Sequence, residues 1–153
     1  MQPTTEAEWK AYLTAHAPLT VGVCGGRFYS DHRRVFAVLG QLNLSYGIGR
    51  LFHGAAPGAD ALASCWREQV AKTVRVVKAV CLDSIPTPDE QPYPAKWKQY
   101  GKAAGPIRNA AMLAAELERG PVHLLLAFPG GGGTADMVRR SREAGVPVFE
   151  VPA

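Results

Sequence analysis

Six consecutive residues, Pro129, Gly130, Gly131, Gly132, Gly133 and Thr134, stand between an apolar run, Val122 to Phe128, and an amphipathic stretch carrying Met137, Val138 and Ser141. The apolar run is short enough for a strand buried on both faces, and Pro129 stops its ladder. Thr134 is a good N-cap for a helix opening at Ala135. A junction of strand, glycine loop and helix N-terminus aims backbone N–H groups and the positive end of a helix dipole at one spot. The missing side chains admit an anion close to the main chain, so the chemistry expected is phosphate binding. A flexible turn is the plainer alternative, but the flanking strand and helix favour the phosphate reading. No Lys-Ser or Lys-Thr follows the glycines, so this is not a Walker A loop and ATP hydrolysis of that kind is not expected.

Further candidates are spread along the chain. Gly25, Gly26 and Arg27 follow a short strand, Leu19 to Cys24, and precede a helix capped near Ser30 or Asp31 with Val35, Val38, Leu39 and Leu42 inward. Arg27 could reach a phosphate and Tyr29 could stack on a base; the alternatives are a solvated loop cation and a cover for the core. His53, Gly54, Pro57, Gly58 and Asp60 join a brief strand, Arg50 to His53, to a helix with Leu62, Trp66 and Val70 inward. Asp60 either complements that helix dipole, worth about 0.3 to 1 kcal/mol, or accepts a ribose hydroxyl. His53 is a candidate base only. Arg108 and Asn109 fall in the first turn of a helix running from Pro106 to Gly120. A cation there opposes the dipole and calls for an anion nearby.

These groups need elements to position them. Residues 1–18 read as an added helix, started at Thr4 or Thr5, striped by Trp9, Tyr12 and Leu13 and ended by Pro18; residues 19–153 form the main domain. Val74 to Leu82 reads as a third strand and Pro147 to Val151 as the last. Between them, residues 83–101 read as a long proline-containing loop of the kind that forms lids or binding loops. Lys96, Lys98 and Lys102, interleaved with Trp97 and Tyr100, could instead offer single-stranded nucleic acid a stacking and phosphate surface. Alternating strands and helices specify an α/β fold, a doubly wound parallel sheet in three α/β/α layers. In the order 3-2-1-4-5 the first strand lies beside the one at Val122, at the switch point where such sheets bind ligands. Both glycine loops, the His53 to Asp60 segment and Arg108 would then face one crevice.

Composition narrows the classes. With 153 residues, 47% hydrophobic and 20% charged, the chain suits one globular core, and no apolar run approaches the roughly 20 residues that span a bilayer. The polar, acidic start is unlike a signal peptide, so a cytoplasmic address is expected. Cys24, Cys65 and Cys81 lack any Cys-x-x-Cys pair; they read as small buried hydrophobes, with no metal site. A net charge of +4 favours an anionic ligand and permits nucleic acid.

In order, VCGGRFY, HGAAPGAD, GKAAGPIRN and FPGGGGTADM resemble the YspA-type, YpsA-related branch of the SLOG superfamily, over about residues 19–151. The resemblance implies a Rossmann-like fold that binds a nucleotide or nucleotide-derived ligand, with no activity assigned to this branch. Wider relatives include the lonely-guy phosphoribohydrolases, the ADP-ribose-binding domains of TRPM channels and the DNA-processing protein A domain. The phosphoribohydrolases carry PGGxGT, two residues and then a catalytic Glu, a position held here by Met137. Asp136 lies one residue earlier, turned by about 100° on a helix. The ligand is therefore expected on Gly25, Gly26, Arg27, Gly130, Gly131, Gly133, Thr134 and Arg108, with Asp60 or Asp136 on a ribose hydroxyl. If the protein is an enzyme, N-glycosidic hydrolysis would rest on Arg108 and Arg27 as the phosphate clamp, with Asp136 or Asp60 stabilising the ribosyl cation or positioning water. Relatives commonly associate, which leaves room for a homodimer.

Overall fold

The computed structural model describes residues 2–80 and 86–153. Five parallel strands form one sheet, β1 (Leu19–Cys24), β2 (Ile48–His53), β3 (Asp89–Pro92), β4 (Leu124–Ala127) and β5 (Val148–Glu150), in the order β3-β2-β1-β4-β5. That is the 3-2-1-4-5 arrangement expected from the sequence, in a Rossmann-like α/β fold. The helices are α1 (Glu6–His16), α2 (His32–Tyr46), α3 (Ala59–Val80), α4 (Trp97–Tyr100), α5 (Ala104–Arg119) and α6 (Gly132–Glu143).

Both faces of the sheet are covered because successive strand residues feed opposite cores. Leu124, Leu126 and Phe128 pack with Val35 and Leu39 of α2 and with Ala59, Ala63 and Trp66 of α3. Leu125 and Ala127 pack with Met112 and Leu113 of α5 and with Met137 and Val138 of α6. The added helix α1 joins the first of these cores through Leu13, with Trp9 and Tyr12 against it. Thr5 caps α1, accepting from Glu8 N–H while the Glu8 carboxylate accepts from Thr5 N–H, a reciprocal capping box. Gln2 then reaches the sheet edge, where its amide exchanges two 2.8 Å hydrogen bonds with the Val148 backbone and occupies a position open to strand pairing.

Two expectations need correction. The segment beginning at Val74 is no strand: through Val80 it continues α3, and Leu82 lies outside the described residues. The four-residue stripe of Leu62, Trp66 and Val70 extends to Val74, which is buried, so helical packing outweighs the β-propensity of the valines. The third strand comes from Asp89 to Pro92, inside the stretch read as a loop. It is a short, polar edge strand ending in proline, a composition that discourages edge pairing and carries no apolar signal. Among the cysteines, Cys24 is buried but Cys65 is exposed on α3, and Cys81 lies outside the described residues. No described helix is long and apolar enough to cross a membrane.

Candidate functional site

The C-terminal ends of β1, β2 and β4 lie in register, Val23 beside His53 and Cys24 beside Ala127, so the loops after them emerge side by side. Gly26 ties the three together. Its N–H donates to Pro129 O (2.9 Å), and its carbonyl accepts from Tyr29 N–H (3.1 Å) and Ala59 N–H (3.2 Å). Backbones this close exclude side chains. A Cβ on Gly25 would lie 2.5 Å from Ala59 Cβ, one on Gly130 2.6 Å from Gly26 N, and one on Gly58, whose φ is +81°, 2.7 Å from the Arg27 carbonyl carbon. A Cβ on Gly131, Gly132 or Gly133 would meet nothing within 4 Å. The first glycine of the run is thus needed for loop packing, and the other three border open space.

That space is a cleft of about 690 Å³. Its wall contains Gly25, Gly26, Arg27, Tyr29, Gly54, Asp60, Lys102, Arg108, Asn109 and Pro129 through Thr134, so all four motifs meet there. Helix α6 begins on the wall at Gly132. Its N-cap, Gly131, has no side-chain cap bond, and Ala135 N–H makes the first return bond, to Gly131 O (3.0 Å). The N–H groups of Gly132, Gly133 and Thr134 therefore precede the first intrahelical bond, where a helix offers free donors to an anion. Thr134 accordingly sits in the first turn and is not the N-cap expected from the sequence: glycine, without a Cβ, starts the helix three residues earlier. Helix α5 also turns its first turn to the cleft, through Gly105 and Pro106, and lacks a side-chain cap.

The cations around this wall are unequal. Lys102 is exposed, and Arg27 lays its guanidinium over the Trp97 ring, 5.3 Å from the centroid. Arg108 is held in place by neutral acceptors: Nη1 donates to Gly54 O and Tyr93 O (3.1 Å), and Nε donates to Asn109 Oδ1 (3.0 Å). Burial and then the nearby Arg27 lower its proton affinity, whereas Asp60 raises it. Among the described residues no carboxylate forms an ion pair with it. Gly54 has no room for a side chain because the Arg108 guanidinium fills that position.

The acids separate sharply. Asp136 does not line the cleft; its carboxylate accepts from Asn109 Nδ2 (3.0 Å), Arg139 (2.9 Å) and Arg140 (2.8 Å). Burial would raise its pKa, but these bonds outweigh burial and hold it below the ordinary carboxylate value. Asp60 does line the cleft, is 5% exposed, and has one satisfied oxygen, Oδ2, which accepts from Ala56 N–H (3.2 Å). Its Oδ1 is buried without a partner among the described residues. Burial raises the Asp60 pKa, opposed by the Ala56 bond and by the charges of His53 and Arg108.

The raised pKa makes a testable linkage. The folded protein binds this proton more readily than the unfolded chain, so stability declines as pH rises from the ordinary value, 3.8, through the raised one. The expected result is that unliganded Asp60→Asn melts above the native protein at pH 7, and that the gain disappears near pH 3.5. A melting difference that is the same at both pH values, measured by circular dichroism, would remove the buried-charge explanation.

His53 faces elsewhere. Its Nδ1 accepts from Ala55 N–H (3.1 Å) and its Nε2 bonds Glu90 Oε1 (2.8 Å), beside a separate pocket of about 260 Å³. These bonds brace the turn in which Ala55 has a φ of +53°. Gly58 also lies behind the wall, packed under Gly26 and Arg27. Wall residues without a role in the sequence reading include Phe28, Cys24 and Met112. Burial pushes the Cys24 thiol far up, followed by the charges of Asp60 and Glu150, so it is not a thiolate nucleophile. Met137, where the phosphoribohydrolases carry their Glu, is also on the wall, so the helix places an apolar group in the cleft there. No cluster of metal-ligating side chains occurs among the described residues.

Comparisons with known proteins bear on the family of the chain. A family model described as the YspA, cpYpsA-related SLOG family matches residues 20–79. The Gene 61 protein of Mycobacterium phage D29 is 32% identical over 131 residues, which cover 83% of this chain and 91% of that protein. No solved structure matches the chain.

Proposed function

The chain belongs to the YspA, cpYpsA-related SLOG family, and from that premise we propose that it binds a nucleotide or nucleotide-derived ligand, with a phosphate at the N-terminus of α6. The observation that carries the reading is the uncapped first turn at Gly131, Gly132 and Gly133, open to a cleft that also holds Arg27, Lys102 and Arg108. Free N–H groups, a helix dipole and unpaired guanidinium charge all favour an anion. The unpartnered Oδ1 of Asp60 suits a hydroxyl donor, which a ribose would supply.

A thermal-shift screen of AMP, ADP, GTP, NAD, ADP-ribose and cyclic dinucleotides tests this reading, with Gly131→Asp as the control. A ligand specific for the folded state, at 100 times its Kd, adds about 2.7 kcal/mol and gives a clear rise in melting temperature. The control separates binding from folding. Its new side chain meets open space, and an aspartate at an N-cap stabilises a helix by up to about 1 kcal/mol, so the unliganded variant should melt no lower than the native protein. The same carboxylate occupies the phosphate position, so the ligand shift should vanish. A shift that survives in Gly131→Asp, or no shift with any compound, would remove the phosphate from this loop.

A second reading, N-glycosidic hydrolysis, is favoured by one observation: of the two candidate carboxylates, Asp60 is on the cleft wall with an unpartnered oxygen. In this reading Asp60 stabilises the ribosyl cation and Arg108 holds the phosphate. It requires release of free base from a bound nucleotide, detected by chromatography and lost in Asp60→Asn.

A further inference from the structure

Phe28 is 97% exposed, an unusual state for a phenylalanine at the lip of a deep cleft. The backbone beside it is nonetheless tied down: the next residue, Tyr29, donates its N–H to Gly26 O (3.1 Å), inside the junction of the three loops. Trp97 lines the same cleft, is 46% exposed, and supports the Arg27 guanidinium on its ring face. Tyr29 is committed to the core, its ring 5.5 Å from that of Phe128. The freely presented flat surfaces at the cleft mouth are therefore Phe28 and the Arg27–Trp97 stack.

We infer that Phe28 and the Arg27–Trp97 stack form the base subsite, so that the ligand class is a nucleotide held by its aromatic base as well as by its phosphate. The inference rests on the phosphate reading above and adds to it the part of the ligand that the glycine loop does not touch. Aromatic side chains and arginine planes stack with any nucleobase, because every base has a π-face. A loop bonded on either side of the residue presents the phenyl ring with little conformational entropy to lose, since only two side-chain torsions are free. Covering the ring with a base also withdraws apolar surface from water. A base fits this position better than a protein partner because the aromatic lip and the anion cradle share one cleft, the dimensions of a single charged, planar ligand.

The test is calorimetric titration with the four ribonucleoside 5′-monophosphates and with ribose 5-phosphate, on the native protein, Phe28→Ala and Phe28→Tyr. At least one monophosphate should bind roughly 5- to 150-fold more tightly than ribose 5-phosphate, the range for stacking one base on an aromatic side chain. Phe28→Ala should remove most of that advantage and leave ribose 5-phosphate unaffected, while Phe28→Tyr retains it. Equal affinity for monophosphates and ribose 5-phosphate in the native protein would overturn the base subsite and leave the phosphate cradle standing. A Phe28→Ala variant that weakens both ligands alike would also overturn it. If neither ligand class binds, the phosphate reading fails and the base subsite fails with it.

Discussion

Arg50→Met should destabilise the protein by about 3 to 5 kcal/mol, the usual consequence of leaving a buried charge without its partner. Glu116 of α5 is 1% exposed, and its carboxylate accepts two 2.8 Å bonds from Arg50 of β2 and one 2.6 Å bond from Tyr93 Oη. Met keeps most of the arginine's apolar bulk, so the variant removes the charge more than the volume. The loss should depend on pH. Burial alone would raise the Glu116 pKa, but the bonds from Arg50 and Tyr93 outweigh it and hold the carboxyl below its ordinary value of 4.5. A carboxyl depressed on folding contributes stability above its unfolded pKa, and that contribution is lost as pH falls through the folded one. Native and Arg50→Met melting curves should therefore be far apart at pH 7 and converge below about pH 4.5, where protonation relieves the stranded carboxylate. The double variant Arg50→Met with Glu116→Leu should recover much of the loss, since an apolar pair can replace a buried ion pair at little net cost. Curves that stay parallel down to pH 3.5 would show that the ion pair contributes nothing through charge.

This network also reaches the cleft. Tyr93 bonds Glu116 through its hydroxyl, accepts from Arg108 Nη1 through its carbonyl (3.1 Å) and donates its N–H to His53 O (2.9 Å). Arg50, Glu116 and Tyr93 thus fix the height of α5 against β2, and with it the position of the cleft's half-buried guanidinium. Arg50→Met should accordingly weaken an anionic ligand more than a surface substitution of equal charge would.

How much of this was readable in the residues follows from what each signal measures. The apolar runs at Leu19 and Val122 report burial directly, and with the glycine loops after them they fixed the central strands and the order 3-2-1-4-5. Edge strand β3 was invisible because an edge strand is not paid in apolar burial: Asp-Glu-Gln-Pro reads as loop. Near the end of α5 an acid holds the inward position: Leu117 is 38% exposed and Glu116 is the buried residue of that turn, since a carboxylate satisfied by Arg50 and Tyr93 can take a core position. At the cleft, residue type located the wall but not the roles on it. Asp60 and Asp136 were equal candidates in the sequence, and hydrogen-bond partners separate them: three for Asp136, and an unsatisfied oxygen for Asp60. Glycines too were alike on paper, and only the space around each distinguishes loop packing from an open wall.

That distinction predicts opposite results from two alanine substitutions. Gly58→Ala should cost about 2 to 5 kcal/mol: a left-handed backbone costs a side chain roughly 1 to 2 kcal/mol, and forcing a methyl into a filled space typically costs about 1 to 3 more. The positive φ of +81° supplies the first cost, and the Gly26 and Arg27 backbone, 2.7 Å away at its carbonyl carbon, supplies the second. The backbone cannot yield cheaply, because Gly26 O accepts from both Tyr29 and Ala59, and Gly26 N–H is bonded to Pro129 O. Any shift that admits the methyl would therefore move all three cleft loops together. Gly131→Ala, on the cleft wall itself, meets nothing within 4 Å and should change stability by less than about 1 kcal/mol. Chemical denaturation of the two variants measures the contrast. If Gly58→Ala were as stable as Gly131→Ala, the three loops would not be locked through Gly26, and the cleft would have to be assembled by the ligand rather than presented to it.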